Sequence, residues 1–420
     1  MKILMLGLNY APEKIGIAVY TTGMAEALVG AGHEVRVIAG QPYYPAWSVT
    51  SGYGGLRFAS RMERGVAVTR VPHYVPAQQS GWQRVVHYAS FGVAALGPTL
   101  WSALSWRPDV VLTVAPSLIA APVARLAALM CGARSWLHVQ DFETEAAFAT
   151  GLLAGRGLIA GLARRFESAV MKSFHRLSSI SPEMCCRLTD MGIAQHRVIE
   201  FRNWADVDHV RPLTGPSPYR ERWGIATPHV ALYAGNIAEK QGIEIVAEAA
   251  QRLSHRRDLT FVVCGEGPNR RRLERLVGGL GNVQFRDLQS CDRLSELMGL
   301  ATVHLLPQLA GAADLVMPSQ LTNMLASGRP VVATAASGSG LAREVEDCGV
   351  VVQPGDGEAF AAAITDLIDD VDRWRVAAIA ARARAEERWA KRLVLGRFIA
   401  ELERLQDEHL PSGLTETRIK

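Results

Sequence analysis

"KILMLGLN" (Lys2–Asn9) and "HVALYAGNI" (His229–Ile237) lie in different halves of the chain and end alike. Each is a strand-length apolar run that reaches Gly and then Asn, at Gly7 and Asn9 in the first and at Gly235 and Asn236 in the second. An apolar run without strict alternation reads as a strand buried on both faces, the habit of parallel sheets. The pair predicts two sheets, each begun by a central strand.

The same rhythm continues outward. "EVRVIA", "VAVTRV", "DVVLTV" and "SWLHVQ" follow in the first half. "LTFVVCGEG", "NVQF", "ATVHLLP", "RPVVAT" and "GVVVQPGD" follow in the second. Amphipathic stretches such as "GMAEALVGA" (Gly23–Ala31) separate several of them. Strands alternating with helices give an α/β class with doubly wound, Rossmann-like parallel sheets. "RPLTGPSP" (Arg211–Pro218) is rich in Pro and Gly and reads as a linker. The expected division is residues 1–205, a linker at 206–218, a second domain at 219–385 and a C-terminal helix at 386–410. The 420 residues exceed what one ordinary core serves, which agrees with two domains. In such sheets ligands sit beyond the carboxyl ends of the strands, so chemistry is sought in the loops after strands.

Composition narrows the partners. A net charge of +4 and the absence of a basic stripe with interleaved aromatics argue against nucleic acid. Six cysteines without a C-x-x-C pair read as free thiols in a reducing compartment, and zinc is not expected. The N-terminus reads as a strand rather than a signal peptide, so a cytoplasmic location is expected. Tyr88–Trp106, "YASFGVAALGPTLWSALSW", has no charge over 19 residues. It is either an interior helix or one resting on a membrane surface, with Trp82, Trp101 and Trp106 at hand. Gly97-Pro98 in its middle argues against a spanning helix.

Several loops could carry chemistry. In "MPSQLTNMLASGRPVV" (Met317–Val332) a helix opens at Pro318 and stops at Gly328, with Ser319 and Asn323 on one face. Its first N–H groups and its dipole would favour an anion. The bland alternative is that Ser319 caps the helix and Asn323 bonds a loop. "NYAPEKIGIAVY" carries Gly16 ahead of a helix, either a phosphate or sugar loop or an ordinary flexible one. "GNIAEKQG" offers Lys240 to a phosphate or to solvent, and "CGEGP" is a tight turn with Gly265 and Glu266. "LHVQDFETEAA" places His138, Asp141, Glu143 and Glu145 just past a strand, either as acid/base groups or as helix N-terminal acids. "DVD" (Asp206–Asp208) reads as solvated rather than metal-binding, and "RRR" (Arg270–Arg272) as an exposed helix face.

Taken in order, "NYAPEKIGIAVYTTGMAEALVGAGHEVRVIAGQPYYPAW", "HVQDFE", "FRNWAD", "YAGNIAEKQGIE" and "GAADLVMPSQLTNMLASGRPVV" resemble glycosyltransferase family 4. The first is especially similar to the colanic acid biosynthesis branch, described as fucosyltransferases. The resemblance covers the chain to about residue 400. It implies a GT-B fold, with two Rossmann-like domains facing a cleft and the C-terminal helix crossing back to the first. It implies a retaining enzyme that moves a hexose from a nucleotide diphosphate to a lipid-linked oligosaccharide at the inner membrane surface, without a metal or other cofactor. The catalytic set would be Asp141, His138 and Glu143, with Asp141 near the acceptor hydroxyl. The donor set would be Gly16, Asn236, Lys240, Gln241, Gly265, Glu266, Ser319, Leu321 and Asn323. The chain departs from the general pattern in three places. Asn323 and Leu315 replace a pair of Glu eight residues apart, Asn236 replaces an Arg, and Gln241 replaces a Lys, with Lys240 one place early. Two other readings remain: a sugar-nucleotide epimerase of the same fold, and a non-catalytic scaffold in a polysaccharide complex.

Overall fold

The computed structural model describes residues 1–14, 16–77, 81–142, 157–237, 241–309 and 318–408. The chain divides into two compact units. Unit 1 comprises Met1–Phe201 with Leu395–Lys420, and unit 2 is Arg202–Val394. The Arg211–Pro218 stretch, read as a linker, therefore lies inside unit 2, where the Arg211 N–H donates to Ser295 Oγ and Ser217 Oγ donates to Glu296 O.

Unit 1 holds strands β1 (Lys2–Gly7), β2 (Glu34–Gly40), β3 (Ala59–Glu63), β4 (Val66–Val71), β5 (Val110–Ala115), β6 (Arg134–Val139), β7 (Arg176–Ser179) and β8 (Val198–Glu200). Its helices are α1 (Ile17–Gly30), α2 (Gly81–Trp106), α3 (Ala121–Cys131), α4 (Leu158–Ser173) and α5 (Pro182–Asp190). The sheet order is β3-β4-β2-β1-β5-β6-β7-β8. Every pairing is parallel except that of edge strand β3 with β4. The order reverses between β1 and β5, so the ligand crevice of this sheet opens beyond Gly7 and Ala115.

Three of these strands escape a reading by apolar runs. β3, "ASRME", is an exposed edge. β8 has three residues. β7, "RLSS", is buried but polar: Ser178 Oγ bonds Trp136 Nε1 and His138 Nδ1, and Ser179 Oγ donates to Val139 O. Hydrogen bonds substitute there for apolar burial.

Unit 2 holds β9 (His229–Ala234), β10 (Leu259–Cys264), β11 (Val283–Arg286), β12 (Val303–Leu306), β13 (Val331–Thr334) and β14 (Gly349–Val352). Its helices are α6 (Tyr219–Arg222), α7 (Glu244–Arg252), α8 (Arg270–Leu276), α9 (Leu294–Met298), α10 (Ser319–Ala326), α11 (Gly340–Val345), α12 (Gly357–Asp369) and α13 (Val371–Arg384). All pairings in the order β11-β10-β9-β12-β13-β14 are parallel. β9 is the central strand, and the order reverses between β9 and β12. Apolar residues pack both faces of the sheet: Val230, Leu232 and Leu306 against α10 and α11 on one side, Ala231, Tyr233 and Leu305 against α7 and α12 on the other.

The last helix, α14 (Lys391–Asp407), starts after a π-turn at Ala385–Trp389. From residue 395 it belongs to unit 1. Phe398 stacks on Phe201 with centroids 4.4 Å apart and meets Trp136 edge-on at 5.4 Å. A 3.3 Å contact of His33 with Glu403 and an Arg176–Glu408 ion pair fasten its far end.

α2 is a helix of 26 residues with Pro98 inside. His87, Tyr88, Phe91, Gly92, Ala95, Thr99, Ser102 and Ala103 face the core. Val93, Leu96, Trp101 and Leu104 lie on the exposed side. Trp106 does not join them, because the Arg36 guanidinium covers its ring at 4.4 Å. Among the described residues no helix is long and apolar enough to cross a membrane.

Candidate functional site

Unit 2 gathers three loops at the carboxyl edge of its sheet. After β9 the chain turns at Gly235, and the loop after β10 is laced to it. The Gly235 N–H donates to Cys264 O at 3.0 Å, the Ile237 N–H to Glu266 O at 2.8 Å and the Asn269 N–H to Ile237 O at 3.0 Å. This approach requires glycine. A Cβ on Gly265 would overlap the Gly235 carbonyl oxygen, and one on Gly267 the Ile237 carbonyl. The third element is α10. Its Gln320 side chain bonds the Tyr233 hydroxyl and fills the space a Cβ on Gly235 would need. Tyr233 is fully buried and also donates to Asn236 O at 2.6 Å. The edge is thus held together by contacts within the chain.

α10 begins at exposed Ser319, with extended Pro318 as its N-cap rather than its first turn. Ser319 and half-buried Asn323 carry side chains that bond none of the described residues, and the unpaired first N–H groups make this tip attractive to an anion. Leu321 corrects the expected donor set. It is fully buried in the core of unit 2, and its N–H donates to Pro318 O.

The remaining donor candidates divide. Asn236 is exposed beside the Gly235 turn. Gln241 is buried with an Oε1 that has no partner. Glu266 is exposed and pairs with Arg270 at 2.5 Å. That Arg is not on an exposed face, as the Arg run suggested. Arg270 is four-fifths covered, and it also meets Glu274 and Asp287. Lys240 lies outside the described residues, as do residues 310–317.

Unit 1 presents its own edge. Gly16, at φ 68°, is the N-cap of α1 and is exposed. The loop before it is held by a residue the sequence reading passed over. Glu13 is buried, with Oε1 accepting from the Tyr43 and Tyr44 N–H groups at 2.8 and 2.9 Å and Oε2 from Asn9 Nδ2 at 2.9 Å. Burial raises its pKa, and these bonds oppose the rise. Arg70, also buried, reaches the Ala11 carbonyl of the same loop and pairs with Glu63 at 3.0 Å. Tyr43 packs edge-on against His73 and His87, with centroids 5.4 and 4.7 Å apart. The only sequence clue was Glu13 lying four residues after Asn9.

His138 corrects the expected catalytic set. It is 1% exposed on β6, its Nδ1 is 2.9 Å from Ser178 Oγ and its Nε2 is 3.0 Å from Gln140 Nε2. With both ring nitrogens engaged and burial pushing its pKa down to about 3, it is a neutral core residue. Asp141 is half-buried just past β6. Glu143 lies outside the described residues. Asp206 and Asp208 are exposed, and Asp206 caps a turn by accepting the His209 N–H. Among the described residues no three His, Cys, Asp or Glu side chains are grouped to hold a metal. The Cys131, Cys185, Cys186, Cys264 and Cys348 thiols are free.

Known proteins share this architecture. The family description "Glycosyl transferase 4-like domain" matches residues 16–204, and "Glycosyl transferases group 1" matches residues 228–370. A protein of Escherichia coli (strain K12) named as a colanic acid biosynthesis glycosyl transferase, WcaI, is 40% identical over 379 residues, covering 88% of this chain and 92% of its own. Among solved structures, sucrose-phosphate synthase from Thermosynechococcus elongatus superposes with a TM-score of 0.75 at 16% identity, covering 97% of this chain and 99% of its own. Anabaena HepE in complex with UDP superposes with a TM-score of 0.70 at 16% identity, covering 96% of this chain and all of its own. The paired doubly wound units and the length over which these relatives align lead to one conclusion: the chain belongs to glycosyltransferase family 4 and is a glycosyltransferase with the GT-B fold.

Proposed function

We propose that this glycosyltransferase moves a hexose, with retention at the anomeric carbon, from a nucleotide diphosphate to a lipid-linked oligosaccharide in the synthesis of an exported polysaccharide. The observation that carries the reading is the 40% identity, across 92% of its length, with the E. coli protein named for colanic acid biosynthesis. That branch makes fucose the first sugar to try. Unit 2 is the donor unit in this reading. The α10 tip, the Gly235 turn and the Gly265 turn form a seat for a diphosphate, and HepE, of like fold, was crystallised with UDP.

As the glycosidic bond breaks, negative charge grows on the leaving phosphate. Fixed N–H groups at the α10 tip, with Lys240, stabilise that charge more in the transition state than in the ground state. No metal or other cofactor is required in this scheme. Unit 1 receives the acceptor. Asp141 orients the acceptor hydroxyl, whose proton passes either to Asp141 or to the departing phosphate. The lipid-linked acceptor places the enzyme in the cytoplasm against the inner face of the membrane. The exposed Val93, Leu96, Trp101 and Leu104 side of α2 supports that placement.

The test is turnover of GDP-, UDP- and dTDP-linked sugars with a lipid-linked acceptor, by wild type and Asp141→Asn. A joined glycan from the wild type and a loss of 100-fold or more in the variant are expected. A free, isomerised nucleotide sugar would identify an epimerase instead, and wild-type turnover by Asp141→Asn would remove Asp141 from the mechanism.

A further inference from the structure

A cavity of about 600 Å3 opens at the amino-terminal edge of the unit 2 sheet. His229 begins β9, Thr302 directly precedes β12 and Arg329 lies two residues before β13, and all three line it. The donor seat proposed above is at the carboxyl edge. A six-residue strand such as β9 spans about 20 Å, so the two places are separate.

Arg329 is the unusual feature of this cavity. It makes no hydrogen bond or ion pair with any described residue, and its Nε is buried without a partner. Its guanidinium lies over the Trp374 ring, 5.4 Å from the centroid. That ring is fixed by a 2.8 Å hydrogen bond from Trp374 Nε1 to Thr302 O. Burial lowers the Arg329 pKa, the mark of a cation short of compensation. Arg220, one Nη of which donates to Thr227 O, brings a second guanidinium, and no carboxylate lines the cavity. Asp258 and Asp369, the acids that interact with His229, are both held by Arg256, at 2.7 and 2.8 Å. Of the other acids next to the lining in sequence, Glu221 is exposed, Asp370 accepts the Arg373 N–H and Asp372 pairs with Arg375 at 3.0 Å. Leu213, Leu300, Ile368 and Val371 supply apolar wall.

Two arginines lining a space without acids match a dianion, and the apolar wall matches an organic body attached to it. We propose that this cavity binds a phosphomonoester, with its phosphate on Arg329 and Arg220 and its organic part against Trp374 and the apolar wall. The site serves a ligand other than the donor. α10 runs from the donor edge toward it, and Arg329 follows three residues after the last residue of that helix.

Phenyl phosphate is a suitable probe, because it offers both parts. Titration calorimetry on the full chain, at ionic strength matched with NaCl, should show binding at millimolar concentration or tighter. Inorganic phosphate should bind more weakly. Arg329→Gln should weaken phenyl phosphate at least tenfold. Arg220→Gln, a change at a half-buried lining residue, should weaken it several-fold and decides the matter if Arg329→Gln does not fold. No binding by the wild type overturns the proposal. So does binding of equal strength in the wild type and in whichever variants fold, because the phosphate would then be held elsewhere.

Discussion

A methyl group on Gly265 would take the place of the Gly235 carbonyl oxygen, and backbone cannot yield as a flexible side chain does. Gly265→Ala should therefore cost about 1–3 kcal/mol, the usual penalty of overpacking. It should also separate the loops proposed to seat the donor. A denaturant midpoint and a donor affinity both equal to wild type would show that the lacing is dispensable. The buried imidazoles make a different statement. Burial holds His138 and His304 neutral, with pKa values near 3, and brings His73 to about 4. In the unfolded chain these groups titrate near pH 6.5. Between those values the unfolded chain binds more protons, so acid favours unfolding. Their contribution is whole above about pH 6.5 and is lost as the pH falls toward 3. Urea midpoints should drop between pH 7 and pH 4.5. His304→Asn, which keeps a partner for the Ser327 hydroxyl, should flatten that drop. An unchanged slope would remove His304 from the acid response.

At the scale of an element, α2 illustrates how an uncharged segment divides its loyalties. The 3.6-residue period turns Phe91, Ala95, Thr99 and Ser102 inward and Val93, Trp101 and Leu104 outward. Among the described residues the outward row is exposed, and it fits the interface of a bilayer. Flotation with anionic liposomes should recover the wild type. Val93→Ser with Trp101→Ser should cut the recovery several-fold while leaving turnover of a water-soluble acceptor intact. Equal recovery of both proteins would count against membrane contact through α2. α10 shows the opposite arrangement. Leu321, Met324 and Leu325 anchor it in the core, leaving Ser319 and Asn323 on the edge.

For the whole molecule, the decisive fact is that unit 1 is not continuous in sequence. The chain leaves it after Phe201 and returns at Leu395. Phe398, stacked on Phe201 and edge-on to Trp136, closes that unit from the far end of the chain. Phe398→Ala should cost about 3–5 kcal/mol, the range for a large buried aromatic. Amide exchange should locate the loss, with protection falling in β6 and β7 and holding in β9 and β10. An even loss across both sheets would mean that the units do not respond separately.

The sequence by itself determined the architecture. Parallel strands buried on both faces must be nearly continuous apolar runs, so β1, β2, β5, β9 and β10 announce themselves, and the matching ends at Gly7 and Gly235 announce two sheets. The edge where chemistry is sought followed from the same logic, and with it the Gly235 and Gly265 turns and the α10 tip. Tertiary structure alone decided which side chains stand free at that edge. Leu321 lies two residues from exposed Ser319 and His138 three from half-buried Asp141, and only packing reveals that one is core and the other is hydrogen-bonded on both nitrogens. Glu13, Tyr43 and Arg70 lie on three separate segments, and Arg220, Arg329 and Trp374 on three more. Burial and charge compensation depend on contacts between residues remote in sequence, and local pattern carries no record of those.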